Sequence, residues 1–143
     1  MYQTIVVGTD GSDTAGHAVR QALHLAASLG STVHVVTAWQ PVPPLALSGQ
    51  IGAPPPLPID DGAWVTQLHD EVADQGRSLG VEVVPHAVQE SAAHALLDVA
   101  EEVGAGLIVM GNAGLRGFLG HLPSVPTAVL HKATCAVLIV PSS

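Results

Sequence analysis

The chain has 143 residues, of which 48% are hydrophobic and 11% charged, a composition that supports a substantial core and excludes wholesale disorder. Twelve acidic residues outnumber four lysines and arginines, and the net charge of −8 argues against nucleic acid as the main partner. The apolar runs are far shorter than a membrane span, and the single cysteine cannot build a disulfide framework. We therefore expect one cytoplasmic domain over residues 1–143, with no membrane partner.

The first part of the chain predicts a β-α-β unit. Thr4 to Val7 form a buried-strand run that is closed by a polar turn, in which Ser12 or Asp13 can cap the following helix. A glycine ends that helix, and Val33 to Ala38 form the next strand, which such a crossover makes parallel to the first. The predicted core face of the helix consists of Ala15, Ala18, Val19, Ala22, Ala26 and Leu29.

Residues from about 40 to 61 form a proline-rich segment. It holds Pro41, Pro43, Pro44, Pro54, Pro55, Pro56 and Pro58. No long helix or central strand can run through that density of prolines. We expect a long irregular loop that leaves the carboxyl end of the second strand, either as a functional cover or as a disordered segment.

The middle of the chain predicts two more helices and an edge strand. Pro85 interrupts the run from Val81 to Val88, which is therefore expected at an edge of the sheet. Ser91 can cap the helix that follows. The predicted core positions of the two helices are Val65, Leu68, Val72 and Leu79 in the first, and Leu96, Val99, Ala100 and Val103 in the second.

The last part contains the strongest functional pattern. A buried-strand run, Leu107 to Met110, feeds a glycine-rich loop, residues 111–120, and Ser124 can cap a helix that begins with Val125. A glycine-rich loop that ends at a helix N-terminus offers backbone N–H groups and the helix dipole to an anion. With so few cations, phosphate would be held mainly by the backbone, and Arg116 or a divalent ion could assist.

These elements predict an α/β fold with a doubly wound, mainly parallel five-stranded sheet and helices on both faces. Ligands of such folds lie beyond the carboxyl ends of the strands, where the strand order reverses. We expect the strands ending at Val7 and Met110 to be neighbours there. Asp10 and the glycine-rich loop would then meet in one crevice.

The sequences Gly8-Thr9-Asp10-Gly11-Ser12 and Val109-Met110-Gly111-Asn112-Ala113-Gly114, with the ending Ser124 to Pro141, resemble the universal stress protein family. The resemblance covers nearly all of the chain except the proline-rich loop. It implies an α/β domain that forms a homodimer and binds an adenine nucleotide, either ATP (with Mg²⁺) or cyclic AMP, in the stress response.

The resemblance also implies the nucleotide-binding residues. Thr9, Asp10 and Ala38 would lie beside the base and ribose, and the remaining residues near the ribose and phosphates or at the strand ends. The implied set is Gly8, Thr9, Asp10, Ala38, Met110, Gly111, Asn112, Gly114, Ser124 and Val125. Pro123 stands where the family has its third glycine, and the loop is one residue shorter, so a donor is lost from the phosphate cradle.

Several of these residues also have simpler interpretations. Asp10 could be a turn residue, Ser124 could serve only as a helix cap, and Cys135 is expected to be a packing residue. The eight histidines show no spacing that predicts a metal site.

Two functions compete on this sequence. No nucleophile–base pair can be placed at the crevice, and the Ser-Gly-Gly-x-Asp-Ser pattern of ATP pyrophosphatases is absent from the first turn, so no enzyme is predicted. The leading hypothesis is a non-catalytic adenine-nucleotide-binding regulatory protein. The alternative is a dimeric interaction module that has lost nucleotide binding through Pro123.

The final strand predicts the dimer. Ala136 to Val140 contains five apolar residues and no charge, and a doubly wound order places it outermost. Two copies could pair these edges about a two-fold axis. Either Leu138 or Ile139 directs its N–H to the open edge.

Overall fold

A computed structural model describes residues 2–40, 62–112 and 125–141. The elements are β1 (Thr4–Gly8), α1 (Asp13–Leu29), β2 (Thr32–Ala38), α2 (Ala63–Ser78), β3 (Val83–Val88), α3 (Ala92–Val103), β4 (Leu107–Gly111), α4 (Val125–Lys132) and β5 (Ala136–Val140). The proline-rich loop, apart from Gln40, and the predictions on Gly114, Arg116, Pro123 and Ser124 fall outside the described residues.

The sheet confirms the predicted doubly wound architecture. Its five strands follow the order β3-β2-β1-β4-β5, and every neighbouring pair is parallel. Strand order reverses between β1 and β4, where Val7 is in register with Val109. The carboxyl ends of these two strands therefore lie side by side at the switch point.

The edge position of β3 is confirmed and explains how the strand accommodates Pro85. The N–H of Val33 donates to Glu82 O and that of Trp39 to Val88 O, so even-numbered residues of β3 face β2. Pro85 therefore faces the open edge, where its missing N–H breaks no ladder bond.

Each face of the sheet is covered by its own hydrophobic core. Alternate strand residues such as Val7, Val35 and Val109 pack against α1 and α2. The intervening residues, including Val6, Val36 and Met110, pack on the opposite face with α3 and α4. These near-continuous apolar strands are buried on both sides, as expected for a parallel sheet.

The helix ends follow local sequence. Ser12, rather than Asp13, is the N-cap of α1, because its side chain accepts from the N–H of Ala15 at 3.2 Å. Ser91 caps α3 as predicted, accepting from the N–H of His94 at 3.4 Å. In the described residues, no helix is long and apolar enough to cross a membrane.

The prediction of core residues is wrong at two positions. Leu29 is 54% exposed because it is the last residue of α1, and Leu79 is 38% exposed because α2 has already ended at Ser78. The remaining predicted core residues are buried or half-buried, and Leu23 and His69 join them. Helical periodicity continues to the end of a helix, whereas the packed surface does not.

Candidate functional site

The turn between β1 and α1 is held by its own polar groups. The N–H of Thr9 donates to Val36 O at 3.0 Å, which extends the sheet by one residue. The N–H of Gly11 donates to Thr9 Oγ1 at 3.1 Å, and the N–H of Ser12 donates to Asp10 Oδ1 at 2.9 Å. Gly11 has φ of 84°, a value that glycine adopts without strain. Asp10 is thus both a turn residue and an exposed carboxylate at the end of the sheet.

A second set of hydrogen bonds anchors this turn from below. Thr37 Oγ1 donates to the carbonyl oxygen of Thr9 at 2.8 Å, and Nε2 of His69 lies 2.8 Å from the same Oγ1. The hydroxyl has one hydrogen, which the carbonyl takes, so His69 must be the donor from Nε2. Burial lowers the pKa of His69, and His86 acts in the same direction against the opposing charge of Asp70. The ring is therefore the neutral Nε2–H tautomer at neutral pH.

Sequence reasoning missed His69, although a signal for it exists. The buried residues of α2 are Val65, His69, Val72 and Gly76. They recur at helical spacing, and Leu68, which was predicted in place of His69, is only half-buried. A polar residue on a core-facing position indicates a specific hydrogen-bond partner.

On the other side of the switch point, the end of β4 is held by close packing. A Cβ on Gly111 would lie 2.8 Å from Thr14 Cγ2 and 3.2 Å from Thr14 O, so no side chain fits there. The N–H of Asn112 donates to Val140 O at 3.1 Å. Glycine at position 111 thus has a packing role that is independent of any ligand.

These two turns border a cleft of about 150 Å³ at the carboxyl ends of the strands, which α3, α4 and the first turn of α1 also line. Among the predicted site residues, it is lined by Gly8, Thr9, Asp10, Ala38, Met110, Gly111 and Val125. The lining does not include Asn112, and the predicted residues Gly114 and Ser124 are not described. The rest of the lining is Ser12, Thr14, Ala15, Val36, Ala92, Leu96 and Pro126.

The cleft combines an apolar wall with polar strand ends. Leu96 and Val36 belong to the core beneath it, and Leu96 Cδ2 lies 3.0 Å from where a Cβ on Gly8 would stand. Asp10 is the one acidic residue, and no lysine or arginine occurs in the described lining. An anion here would therefore depend on backbone donors and on helix N-termini, of which α4 begins at Val125.

Other candidate chemistry is weaker. No group of three or more potential metal ligands occurs among the described residues. Cys135 is half-buried against the α3–α4 core, and burial raises the pKa of its thiol, which suits the predicted packing residue better than a nucleophile.

The fold and the cleft define a doubly wound α/β protein with a cleft at its switch point, and sequence comparison identifies its family. Residues 1–141 match the universal stress protein family, and the chain belongs to it. A universal stress protein of Mycobacterium tuberculosis strain H37Rv is 30% identical over 97% of this chain and 96% of its own length.

Solved structures support the same assignment. The structure of a universal stress protein in complex with cAMP superposes with a TM-score of 0.80 at 32% identity, covering 99% of this chain and 98% of that one. A universal stress protein from Archaeoglobus fulgidus in complex with dAMP has a TM-score of 0.66 at 25% identity, with 96% and 97% coverage. Family members of similar fold thus bind adenine nucleotides.

Proposed function

We propose that this chain is a single-domain, cytoplasmic, non-catalytic regulatory protein that binds ATP or cyclic AMP in the switch-point cleft. The observation that carries the proposal is the meeting of two distant segments, the turn at Asp10 and the strand end at Gly111, in one cleft. The cAMP and dAMP complexes of similar proteins support the choice of ligand.

The chemistry of the lining suggests how the nucleotide would lie. The apolar wall at Val36 and Leu96 suits a planar base, and the carboxylate of Asp10 suits ribose hydroxyl donors. The volume of about 150 Å³ is below the roughly 300–1,000 Å³ typical of ligand sites, so the cleft would hold part of the nucleotide. Phosphates would extend towards the N-terminus of α4, with Mg²⁺ accompanying ATP.

The described lining offers little for catalysis. It contains hydroxyl groups but no histidine, lysine or cysteine to activate them. The Ser12 hydroxyl is engaged as the acceptor for the N–H of Ala15, and the carboxylate of Asp10 accepts from the N–H of Ser12. Binding without turnover is therefore the proposed activity.

Calorimetric titration with ATP and with cyclic AMP tests the proposal. We expect saturable binding of at least one nucleotide, weakened about fivefold or more by Asp10→Asn, which keeps the acceptor for the turn but removes the charge. The matched control is Asp13→Asn, an equal charge change outside the cleft lining, which should leave affinity unchanged. No binding of either nucleotide at millimolar concentration would favour the alternative, an interaction module without a nucleotide.

Both functions include a homodimer through β5. Val140 directs its carbonyl to Asn112 of the neighbouring β4 connection, so Val137 and Ile139, in alternation, direct their backbone groups to the open edge. Leu138 is 37% exposed beside that edge, which carries no charge. A second copy that pairs with the edge would satisfy these groups.

The register distinguishes proline substitution at Leu138 from proline substitution at Ile139. Ile139→Pro should give a folded monomer, because it removes an N–H from the open edge. Leu138→Pro should misfold, because it removes a ladder bond to β4. Sedimentation of the wild type as a monomer at micromolar concentration would refute the dimer.

A further inference from the structure

We propose that His69 is a positioning residue for the nucleotide cleft: through Thr37 it holds the Thr9–Asp10 peptide so that the Asp10 N–H faces the ligand. This inference rests on the proposed function, and it assigns a role to a helix that does not line the cleft. His69 lies on α2, whereas the helical residues that line the cleft belong to α1, α3 and α4.

The three linked residues are buried together. His69 is 6% exposed, Thr37 is fully buried, and Thr9 is also buried. A buried polar side chain costs free energy unless its hydrogen bonds are made. The neighbours of His69 on the core face of α2 are Val65 and Val72, so an apolar residue would satisfy packing at this position. The histidine instead supplies a donor to Thr37 Oγ1 at 2.8 Å.

The direction of each hydrogen bond follows from the chemistry of the groups. The carbonyl oxygen of Thr9 can only accept, so the hydroxyl hydrogen of Thr37 points at it. The His69 N–H occupies a lone pair of the same hydroxyl and removes its freedom to rotate towards another acceptor. The carbonyl of Thr9 is therefore held towards Thr37 and the α1–α2 face of the sheet.

The peptide geometry then transmits this orientation to the cleft. No described peptide bond is cis, so the N–H of Asp10 points opposite to the carbonyl of Thr9. This direction leads away from the α1–α2 core and towards the side on which Ala92 and Leu96 of α3 line the cleft beside Asp10. Among the described residues, no backbone acceptor outside the helices and strands is bonded to this N–H. It is suited to an acceptor atom on the base or ribose of the nucleotide.

Four variants test the role through the affinity for cyclic AMP and ATP. His69→Leu removes the donor, and Thr37→Val removes the hydroxyl at nearly constant volume; each should weaken binding about fivefold to tenfold, the value of one hydrogen bond. His69→Gln keeps an N–H donor at a similar reach and should stay within about twofold of the wild type. Val72→Ala is the stability control, because it weakens packing of the same helix without touching Thr37.

The double variant His69→Leu with Thr37→Val adds a second criterion. If the two residues act as one relay, the double variant should lose no more affinity than either single variant. Additive losses, or equal losses in His69→Leu and Val72→Ala, would overturn the positioning role in favour of general destabilisation. Wild-type affinity in His69→Leu would overturn it outright.

A measurement without ligand separates this inference from the proposed function. In the nucleotide-free protein, the Asp10 amide resonance should move in His69→Leu and Thr37→Val and stay in place in Val72→Ala. An unmoved Asp10 amide would overturn the relay even if the wild type binds nucleotide. Conversely, a wild type that binds no nucleotide would overturn the ligand role, even if the amide moves.

Discussion

The two turns that border the cleft are stabilised in different ways. The turn from Gly8 to Ser12 is held by hydrogen bonds from its own side chains and from Thr37, so its polar atoms have fixed directions. The end of β4 at Gly111 is held by contact with Thr14, where there is no room for a Cβ. The first turn should therefore be sensitive to the loss of a polar group, and the second to the gain of any side chain.

The largest expected effect is on the side of β4. Gly114→Val should abolish nucleotide binding while the fold survives, because it places a side chain where the family resemblance puts phosphate. Calorimetry would measure binding, and circular dichroism would confirm the fold. Equal affinity in the variant and the wild type would refute the assignment of Gly114 to the site.

Gly111→Ala tests the close contact with Thr14 that holds the end of β4. The new Cβ would lie 2.8 Å from Thr14 Cγ2, so we expect a loss of about 1–3 kcal/mol in the free energy of unfolding. Gly16→Ala is the matched control: its Cβ would meet only Arg20 Nη1, at 3.6 Å, and helix propensity predicts a gain of about 0.5–1 kcal/mol. Denaturant titrations that give both variants the same stability would contradict the packing role.

A third prediction concerns Pro123, on the segment that follows β4. Pro123→Gly with one residue inserted before it restores the family pattern and should tighten ATP binding about tenfold, or roughly 1.4 kcal/mol, through recovered backbone donors. The affinities of variant and wild type would be compared by calorimetry. Tight binding by the wild type and no gain in the variant would show that the shorter loop holds phosphate in its own way.

The smallest expected effect is a pH dependence of the free energy of unfolding, which arises from His69 and His34. Burial lowers the pKa of His69, and it also lowers the pKa of His34, whose Nδ1 lies 2.9 Å from Nε2 of His86. His86 further lowers the pKa of His34, while Glu82 and Glu102 oppose the shift. The unfolded chain, with histidine pKa values near 6.5, thus binds protons more readily than the folded one.

Stability from these histidines should be complete above pH 6.5 and be lost as pH falls through their lowered folded-state pKa values. Urea titrations between about pH 8 and about pH 5 measure this loss. The variant with His34→Gln and His69→Gln should show a flatter profile. An identical slope in the wild type and the variant would contradict the assignment.

The sequence was sufficient to predict much of the fold because its signals are local. Apolar strand runs, a cap at Ser12 or Asp13, a cap at Ser91, and Pro85 as an edge signal each act over a few residues. The exposure of Leu29 and Leu79 could not be predicted, because it depends on the residue at which each packed helix ends. The link from His69 to Thr9 joins three elements that only the tertiary fold brings together.

The candidate site also combines features that the sequence predicts with features that depend on tertiary packing. Asp10 and Gly111 were predicted to meet because strand order follows from topology rules, and both line the described cleft. The contribution of α3, through Ala92 and Leu96, depends on how that helix packs across the sheet, which periodicity alone does not define. Leu96 was predicted as a core residue without its place in the site.

The most direct test of the nucleotide site is an amide NMR titration of the wild-type protein with cyclic AMP and with ATP. We predict saturable shifts concentrated at Thr9, Asp10, Ala38, Gly111 and Val125, with none at Gly30 or Gly104, which end α1 and α3 away from the cleft. Shifts centred on those helix ends, or no shifts with either nucleotide at millimolar concentration, would contradict nucleotide binding at the switch point.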